Sequence, residues 1–331
     1  MKFVIVSVLI VLLFLLNLFF GSVDIPARQV LDILLGAEGN GAAGFIVTGS
    51  RLPMAVTALL AGGGLAVSGL MLQTAFRNPL AGPSVLGINS GASLGVALVM
   101  LLLGGTISAG SYTLGGYAAV MVGAFVGSIL IMGVLLFLST VLKNTLMLLI
   151  TGIMIGYLTS SVIMLLNFMS TAEGVQSYVM WGMSSFNGVS LQQLPLFSAV
   201  TIAGLAVALS LMKPLNLLLL GDGYAQNLGV NLRRVRNMLL LATGILTAVI
   251  TAYCGPVAFI GLSVPHIARL IFRTDNHRIL MPGTLMTGSA IALGCNLLCV
   301  LPANSVIPLN AVTPLIGAPV VIWVLFKHRS R

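Results

Sequence analysis

Charge is scarce in this chain. Only 6% of its 331 residues are Asp, Glu, Lys or Arg, against roughly 25% in soluble domains. So few charges cannot solvate a globular enzyme of this length, and the 58% hydrophobic content and mean hydropathy of +1.13 agree. The surrounding solvent is lipid. Apolar runs of about 20 residues recur throughout, which indicates helical spans; a barrel would show alternating runs of about 10.

Cysteine is nearly absent. Cys254, Cys295 and Cys299 all sit inside apolar stretches without a Cys-x-x-Cys pair or a histidine partner. They read as small buried hydrophobes, and no metal site is expected. A phosphate-binding loop is also missing, since none of Lys2, Lys143, Lys213 and Lys327 follows a glycine and that motif requires Gly-Lys before Ser or Thr. ATP hydrolysis therefore belongs to another subunit. Nothing resembles a serine, histidine and carboxylate set, so the chain is not read as an enzyme and no bound cofactor is expected.

Acids are the rarest charges. Asp24, Asp32, Glu38 and Glu173 fall in outer segments and Asp222 and Asp275 in inner ones, none at mid-span. Ion-coupled carriers place a carboxylate or histidine near the bilayer midplane, so the pattern disfavours a secondary transporter, the main alternative. His266 is the nearest relay candidate, and its ordinary reading is a histidine near a helix end bonded to backbone.

Turn residues and charges divide the chain into ten apolar runs: 3–20, 52–76, 83–103, 113–139, 145–168, 190–212, 237–254, 255–272, 279–301 and 309–326. The first is read as a span and not a cleaved signal, because its core exceeds the usual 7–15 residues and Phe20-Gly21-Ser22 is a poor cleavage site. With the N-terminus inside, 13 basic residues lie on the inner side and only Arg28 and Arg51 on the outer. This split orients both termini to the cytoplasm and requires 255–272 to cross. The net charge of +9 is thus mostly orientation, and no nucleic acid partner is inferred.

Two loops carry structure of their own. The outer segment 171–189, with Trp181, reads as an interfacial helix. The inner segment 214–236 reads as two short helices separated by glycines, because it is too apolar for a flexible linker. A faint inverted repeat relates 51–103 to 236–301, with breaks at Arg77-Asn78-Pro79 and Val264-Pro265-His266, an arrangement common in transporters. Glycines at 62–64, 69, 87, 91 and 95 mark places where helix backbones touch.

Together these motifs carry a resemblance. Arg51-Leu52-Pro53, Gly69 to Gln73, Arg77-Asn78-Pro79-Leu80-Ala81-Gly82-Pro83, Leu86-Gly87, Ser90-Gly91-Ala92, Gly221-Asp222 with Ala225, Leu228, Gly229 and Val230, Gly255-Pro256, Val264-Pro265-His266 with Arg269, and Gly317-Ala318-Pro319 resemble the FecCD-type permeases of ABC importers for iron-siderophores, haem and cobalamin. The resemblance spans nearly the whole chain. It implies an all-α integral membrane protein with the type II ABC importer permease fold, one permease domain over 1–331, and a homodimer with its pathway between subunits. Two ATPase subunits would dock inside, using ATP, and a substrate-binding protein outside, at a bacterial inner membrane.

Carried onto this chain, Gly221, Asp222, Ala225, Gln226, Leu228 and Gly229 resemble the loop that couples to the ATPase. Lys143, Asn144 and Thr145 resemble the cytoplasmic gate, and Arg51 an outer arginine that docks the binding protein. Arg77, Asn78, Pro79, Pro265, His266 and Arg269 belong to the pathway or its supporting motifs. The chain departs from the family where Met54 replaces a second outer arginine and where Cys295 to Cys299 and Val306-Ile307-Pro308 replace a more charged segment. Outer docking would then rely on apolar and hydrogen-bonded contacts.

Overall fold

The computed structural model describes residues 1–36, 41–84, 86–109, 112–142, 145–301 and 306–329. In chain order the helices are α1 (Lys2–Phe19), α2 (Ala27–Leu34), α3 (Ala42–Gly44), α4 (Leu52–Phe76), α5 (Ile88–Ala97), α6 (Gly116–Val141), α7 (Thr145–Met169), α8 (Ala172–Gly182), α9 (Leu194–Ser210), α10 (Met212–Leu218), α11 (Asp222–Asn227), α12 (Leu232–Cys254), α13 (Ile260–Phe272), α14 (His277–Val300) and α15 (Leu309–Arg329). A π-helical turn, Phe45–Arg51, leads into α4, and another, Leu98–Leu102, prolongs α5. A short antiparallel hairpin follows, Thr106–Ala109 against Tyr112–Gly115, which the helical reading did not foresee.

Among the described residues six helices are long and apolar enough to cross a membrane, with a seventh when α9 and α10 form one bent span. Three shorter apolar helices, Ile88–Leu102, Ile260–Phe272 and Leu309–Trp323, occupy the remaining expected runs. The expected break at Val264-Pro265-His266 is corrected: all three residues lie inside α13. Proline fixes a helical φ; within α13 it forfeits the bond to the Gly261 carbonyl and its ring crowds that carbonyl, a cost borne by the packing of α13 on α14 and α15. The break comes earlier, where Gly255 and Phe259 have φ of +77° and +66°. The first half has a similar sequence of long helix, left-handed residue and short helix, with Gly87 at φ +78° just before α5.

The chain divides into two compact units, 1–67 with 185–203 and 257–331, and 68–184 with 204–256. In the first, α1 and α13 pack on α14, and α13 also meets α15. Gly62 of α4 lies so close to α14 that an added Cβ would stand 2.4 Å from the Gly288 carbonyl oxygen. In lipid such close packing replaces the hydrophobic drive.

A buried amide cluster joins α1 to α14. Asn17 Nδ2 donates to the carbonyls of Leu13 (2.8 Å) and Leu293 (3.1 Å), and Asn296 Nδ2 donates to Asn17 Oδ1 at 2.7 Å. Asn17→Leu removes all three bonds and Asn296→Leu only one. We expect Asn17→Leu to cost about 1–2 kcal/mol and Asn296→Leu less, read as detergent-solubilised thermal unfolding. Equal costs would contradict this accounting.

In the second unit α5 lies against α6 and α7, and α12 against α5 and α6. Gly91 and Gly95 face Gly127 and Gly123 backbone to backbone. Asn89 accepts a hydrogen bond from Thr251 Oγ1 at 3.0 Å, and the Tyr117 hydroxyl donates to the Tyr253 carbonyl at 3.1 Å. These polar contacts tie α5 and α6 to α12.

Candidate functional site

The loop of the second unit that the charge pattern assigns to the inner side is built as two short helices, α10 and α11, followed by the start of α12. Glycines make its corners. Gly221 (φ +112°, ψ 148°) precedes α11 and Gly229 (φ +85°) follows it, conformations that side-chain-bearing residues adopt only at a cost. Asn231 then caps α12 by accepting from the Arg234 amide at 3.0 Å.

In and beside α11 the loop is asymmetric. Ala225 is fully buried, while Leu219, Leu220, Tyr224 and Leu228 are exposed. Four large apolar side chains presented beside the exposed cations Arg233 and Arg234 form a surface suited to a protein partner. The void beneath, lined by Phe76, Leu218, Asp222 and Arg236 among others, holds only about 20 Å³, too little for any solute. The loop thus offers an exposed apolar surface and not a binding pocket.

The loop is fastened by an ion pair that sequence reasoning did not connect. Arg77 and Asp222 were assigned to separate motifs, yet Arg77 Nη2 stands 2.7 Å from Asp222 Oδ1. Arg77 ends α4 with φ +45°. The residues after it make a tight turn: the Leu80 amide donates to Asn78 Oδ1 (2.9 Å), the Ala81 amide to the Asn78 carbonyl (3.0 Å), and Pro79 lies within it. Both charged side chains are about half exposed, so the pair contributes roughly 0.2–1 kcal/mol and serves to orient more than to stabilise. Gln226 completes the corner, its carbonyl accepting from the Gly229 amide at 2.9 Å.

Arg51 is corrected. Expected as an outward docking charge, it is only 3% exposed. Its guanidinium donates to the carbonyls of Leu18 (2.9 Å), Phe19 (2.8 Å) and Val23. These include the carbonyls that a helix end leaves without partners, so Arg51 closes the C-terminus of α1. Gly21 lies against it, because a Cβ there would come within 2.8 Å of Arg51 Nε. The sequence signal was available: an Arg-Leu-Pro at the start of a span is as compatible with capping a neighbouring helix as with docking. Arg51→Met should lower thermal stability by about 2 kcal/mol or more, whereas a surface docking charge would leave it unchanged.

Pro265 and His266 are buried in α13, and Arg269 one turn on meets Asp275, Nε to Oδ1, at 3.4 Å. Gly317 lets α15 approach, as an added Cβ would stand 3.0 Å from Ser263 Oγ. Among the expected gate residues, Lys143 and Asn144 lie outside the described residues, and Thr145 begins α7.

Within 171–189, the segment expected at the outer interface, α8 forms as expected. Thr171 Oγ1 accepts from the Gly174 amide at 3.2 Å, capping a first turn that contains Glu173. The rings of Tyr178 and Trp181 are 6.2 Å apart and nearly parallel. Against α8 lies a cavity of about 460 Å³ lined by Met100, Tyr117, Glu173, Ser177 and Trp181, among others. These residues are scattered over 82 positions of sequence, so no local motif revealed them.

The fold and its long apolar helices define a multi-pass membrane protein. The chain belongs to the FecCD transport family, whose model matches residues 9–327. It is 37% identical over 282 residues to the vitamin B12 import system permease protein of Klebsiella pneumoniae, covering 85% of this chain and 82% of that one. The corresponding protein of Salmonella paratyphi A is 37% identical over 278 residues, covering 84% and 82%. A solved structure described as an inward-facing conformation of a metal-chelate type ABC transporter matches with a TM-score of 0.82 and 28% identity, covering 97% of both chains.

Proposed function

We propose that the whole chain, 1–331, is the permease subunit of an ABC importer that carries a metal chelate, such as an iron-siderophore, haem or cobalamin, across a bacterial inner membrane by alternating access. The observation that carries this reading is the α10–α11 loop, which is apolar outward, cornered by positive-φ glycines and fastened through Asp222 to Arg77. A loop so built can transmit force from a partner that grips it, and the chain itself has no phosphate-binding motif. In this reading the permease is a homodimer with both termini cytoplasmic, and two ATPase subunits grip the loops. A substrate-binding protein delivers cargo at the outer face through apolar and hydrogen-bonded contacts, Arg51 being occupied within the fold. Lys143, Asn144 and Thr145 act as the inner gate.

In this reading α7 faces the pathway, and its chemistry fits a large, partly apolar solute. α7 exposes Met154, Tyr157, Met164, Phe168 and Met169 and carries no charged residue. A face of that kind binds no ion tightly, and polarizable methionines adapt to bulky ligands.

Uptake into vesicles containing the permease, its ATPase and its binding protein tests the reading. Transport of the chelate should require ATP inside and persist when a protonophore collapses the ion gradient. Transport that stops with the gradient and proceeds without the ATPase would establish the ion-coupled carrier instead.

A further inference from the structure

Three helix ends meet in the first unit. The rings of Phe3 in α1 and Phe272 in α13 are 4.6 Å apart, and Phe272 lies on Gly283 of α14, where an added Cβ would come within 2.6 Å of the ring. Each end contributes an exposed cation beside this contact: Lys2 precedes Phe3, Arg273 follows Phe272, and Arg278 is in the first turn of α14. The nearby acid, Asp275, is taken by Arg269 at 3.4 Å. Among the described residues no carboxylate pairs with Lys2, Arg273 or Arg278.

Arg273 occupies this place against its own backbone preference. It ends α13 in the left-handed conformation, φ 54° and ψ 45°, its amide donating to the Arg269 carbonyl at 2.8 Å. Glycine is the usual residue there, because a Cβ disfavours that conformation. Arg77 also follows its helix, α4, with a positive φ, and there the chain supplies the anion, Asp222. At Arg273 it supplies none. A topological signal requires only that cations lie on the inner side; it does not require an arginine where glycine fits better, nor three cations gathered at one junction.

The surroundings identify the missing anion. Immediately along α1 from Lys2, the side chains of Val4, Ile5 and Val8 are exposed, so a ligand here has its charged end at the cations and apolar surface beside it. We propose that the junction of Lys2, Arg273 and Arg278 binds the headgroup of an anionic phospholipid, its phosphate accepting from the three cations and its acyl chains lying along Val4, Ile5 and Val8. The bound lipid holds the first turn of α1 to α13 and α14.

Phosphatidylglycerol and phosphatidylcholine are titrated into the detergent-solubilised permease, with lipid retention read by native mass spectrometry and unfolding by temperature. Phosphatidylglycerol, not phosphatidylcholine, is expected to be retained and to raise Tm. Neutralising one cation should weaken retention roughly fivefold, and Lys2→Gln with Arg273→Gln and Arg278→Gln together about a hundredfold. Arg233→Gln with Arg234→Gln, at the other basic cluster, should leave phosphatidylglycerol retention unchanged. Arg273→Gly separates lipid binding from structure: it relieves the backbone, so the lipid-free Tm should hold or rise while phosphatidylglycerol retention falls. Wild-type retention by the triple variant, equal retention of phosphatidylcholine, or full displacement by millimolar inorganic phosphate would each overturn the proposal, the last by making the site one for a free anion.

Discussion

Gly95→Ala should prevent the second unit from assembling. A Cβ on Gly95 would stand 1.9 Å from the Gly123 carbonyl oxygen and 2.7 Å from its carbon. The obstacle is backbone, so no rotamer change relieves it, and α5 and α6 must separate. Gly127 faces the same obstacle one turn away, 2.0 Å from the Gly91 carbonyl oxygen. Overpacking in a core costs about 1–3 kcal/mol where side chains can shift, and more where they cannot. We therefore expect a loss of about 3 kcal/mol or more for either Gly95→Ala or Gly127→Ala, read as collapse of the monodisperse peak in detergent size exclusion and a lowered Tm. Gly133, also on α6, has open space around it. Gly133→Ala should be neutral or stabilise by up to about 1 kcal/mol, because alanine is the better helix former. A uniform response at the three positions would show that helix propensity, and not the α5–α6 approach, governs them.

This contrast also separates what could be read in the residues from what could not. Long apolar runs announce spans because nothing else survives in lipid, and the ten expected runs correspond to helices in order. The inner loop was legible as two short helices because Leu217 to Leu220 are too apolar for a linker and Gly221 and Gly229 punctuate them. Side-chain direction was not legible. Arg51 looks like a docking charge in a linear reading, and only three-dimensional packing brings it under the carbonyls at the end of α1. Arg77 and Asp222 are separated by 145 positions, and no local periodicity reports on such a pair. Pro265 misled for a different reason. Proline weakens a helix interior by removing a bond and crowding the carbonyl four residues back, but it fixes a φ the helix already requires, and in a membrane protein neighbouring helices compensate for the freed carbonyl. The true break is marked by Gly255, whose φ of +77° only glycine adopts freely, followed by Phe259, which adopts φ +66° without being glycine. The hairpin at 106–115 gave no signal, being short and set between two apolar runs.

Gly221→Ala and Gly229→Val should each reduce ATP-driven uptake about fivefold or more while leaving the membrane-embedded part of the protein folded. The argument rests on backbone alone. Gly229 has φ +85° with nothing within 4 Å of an added Cβ, and Gly221 at φ +112° has only Arg77 Nη2, at 3.9 Å, so neither substitution causes a clash. Each instead pushes the loop out of its conformation by about 1–3 kcal/mol, and every 1.4 kcal/mol lowers the population of the competent loop tenfold. Gly223 lies between them with an ordinary φ and open space, and Gly223→Ala should transport as wild type. The ion pair supplies an independent check. Asp222→Arg sets two cations together at the corner and should impair uptake, and adding Arg77→Asp should restore it, since the pair is then rebuilt with its charges exchanged. If exchange does not restore uptake, Asp222 acts on the partner directly and not through Arg77. If Gly223→Ala is as damaging as its neighbours, the loop is sensitive to added bulk at the partner's surface, and the positive-φ corners are not what transmits the stroke.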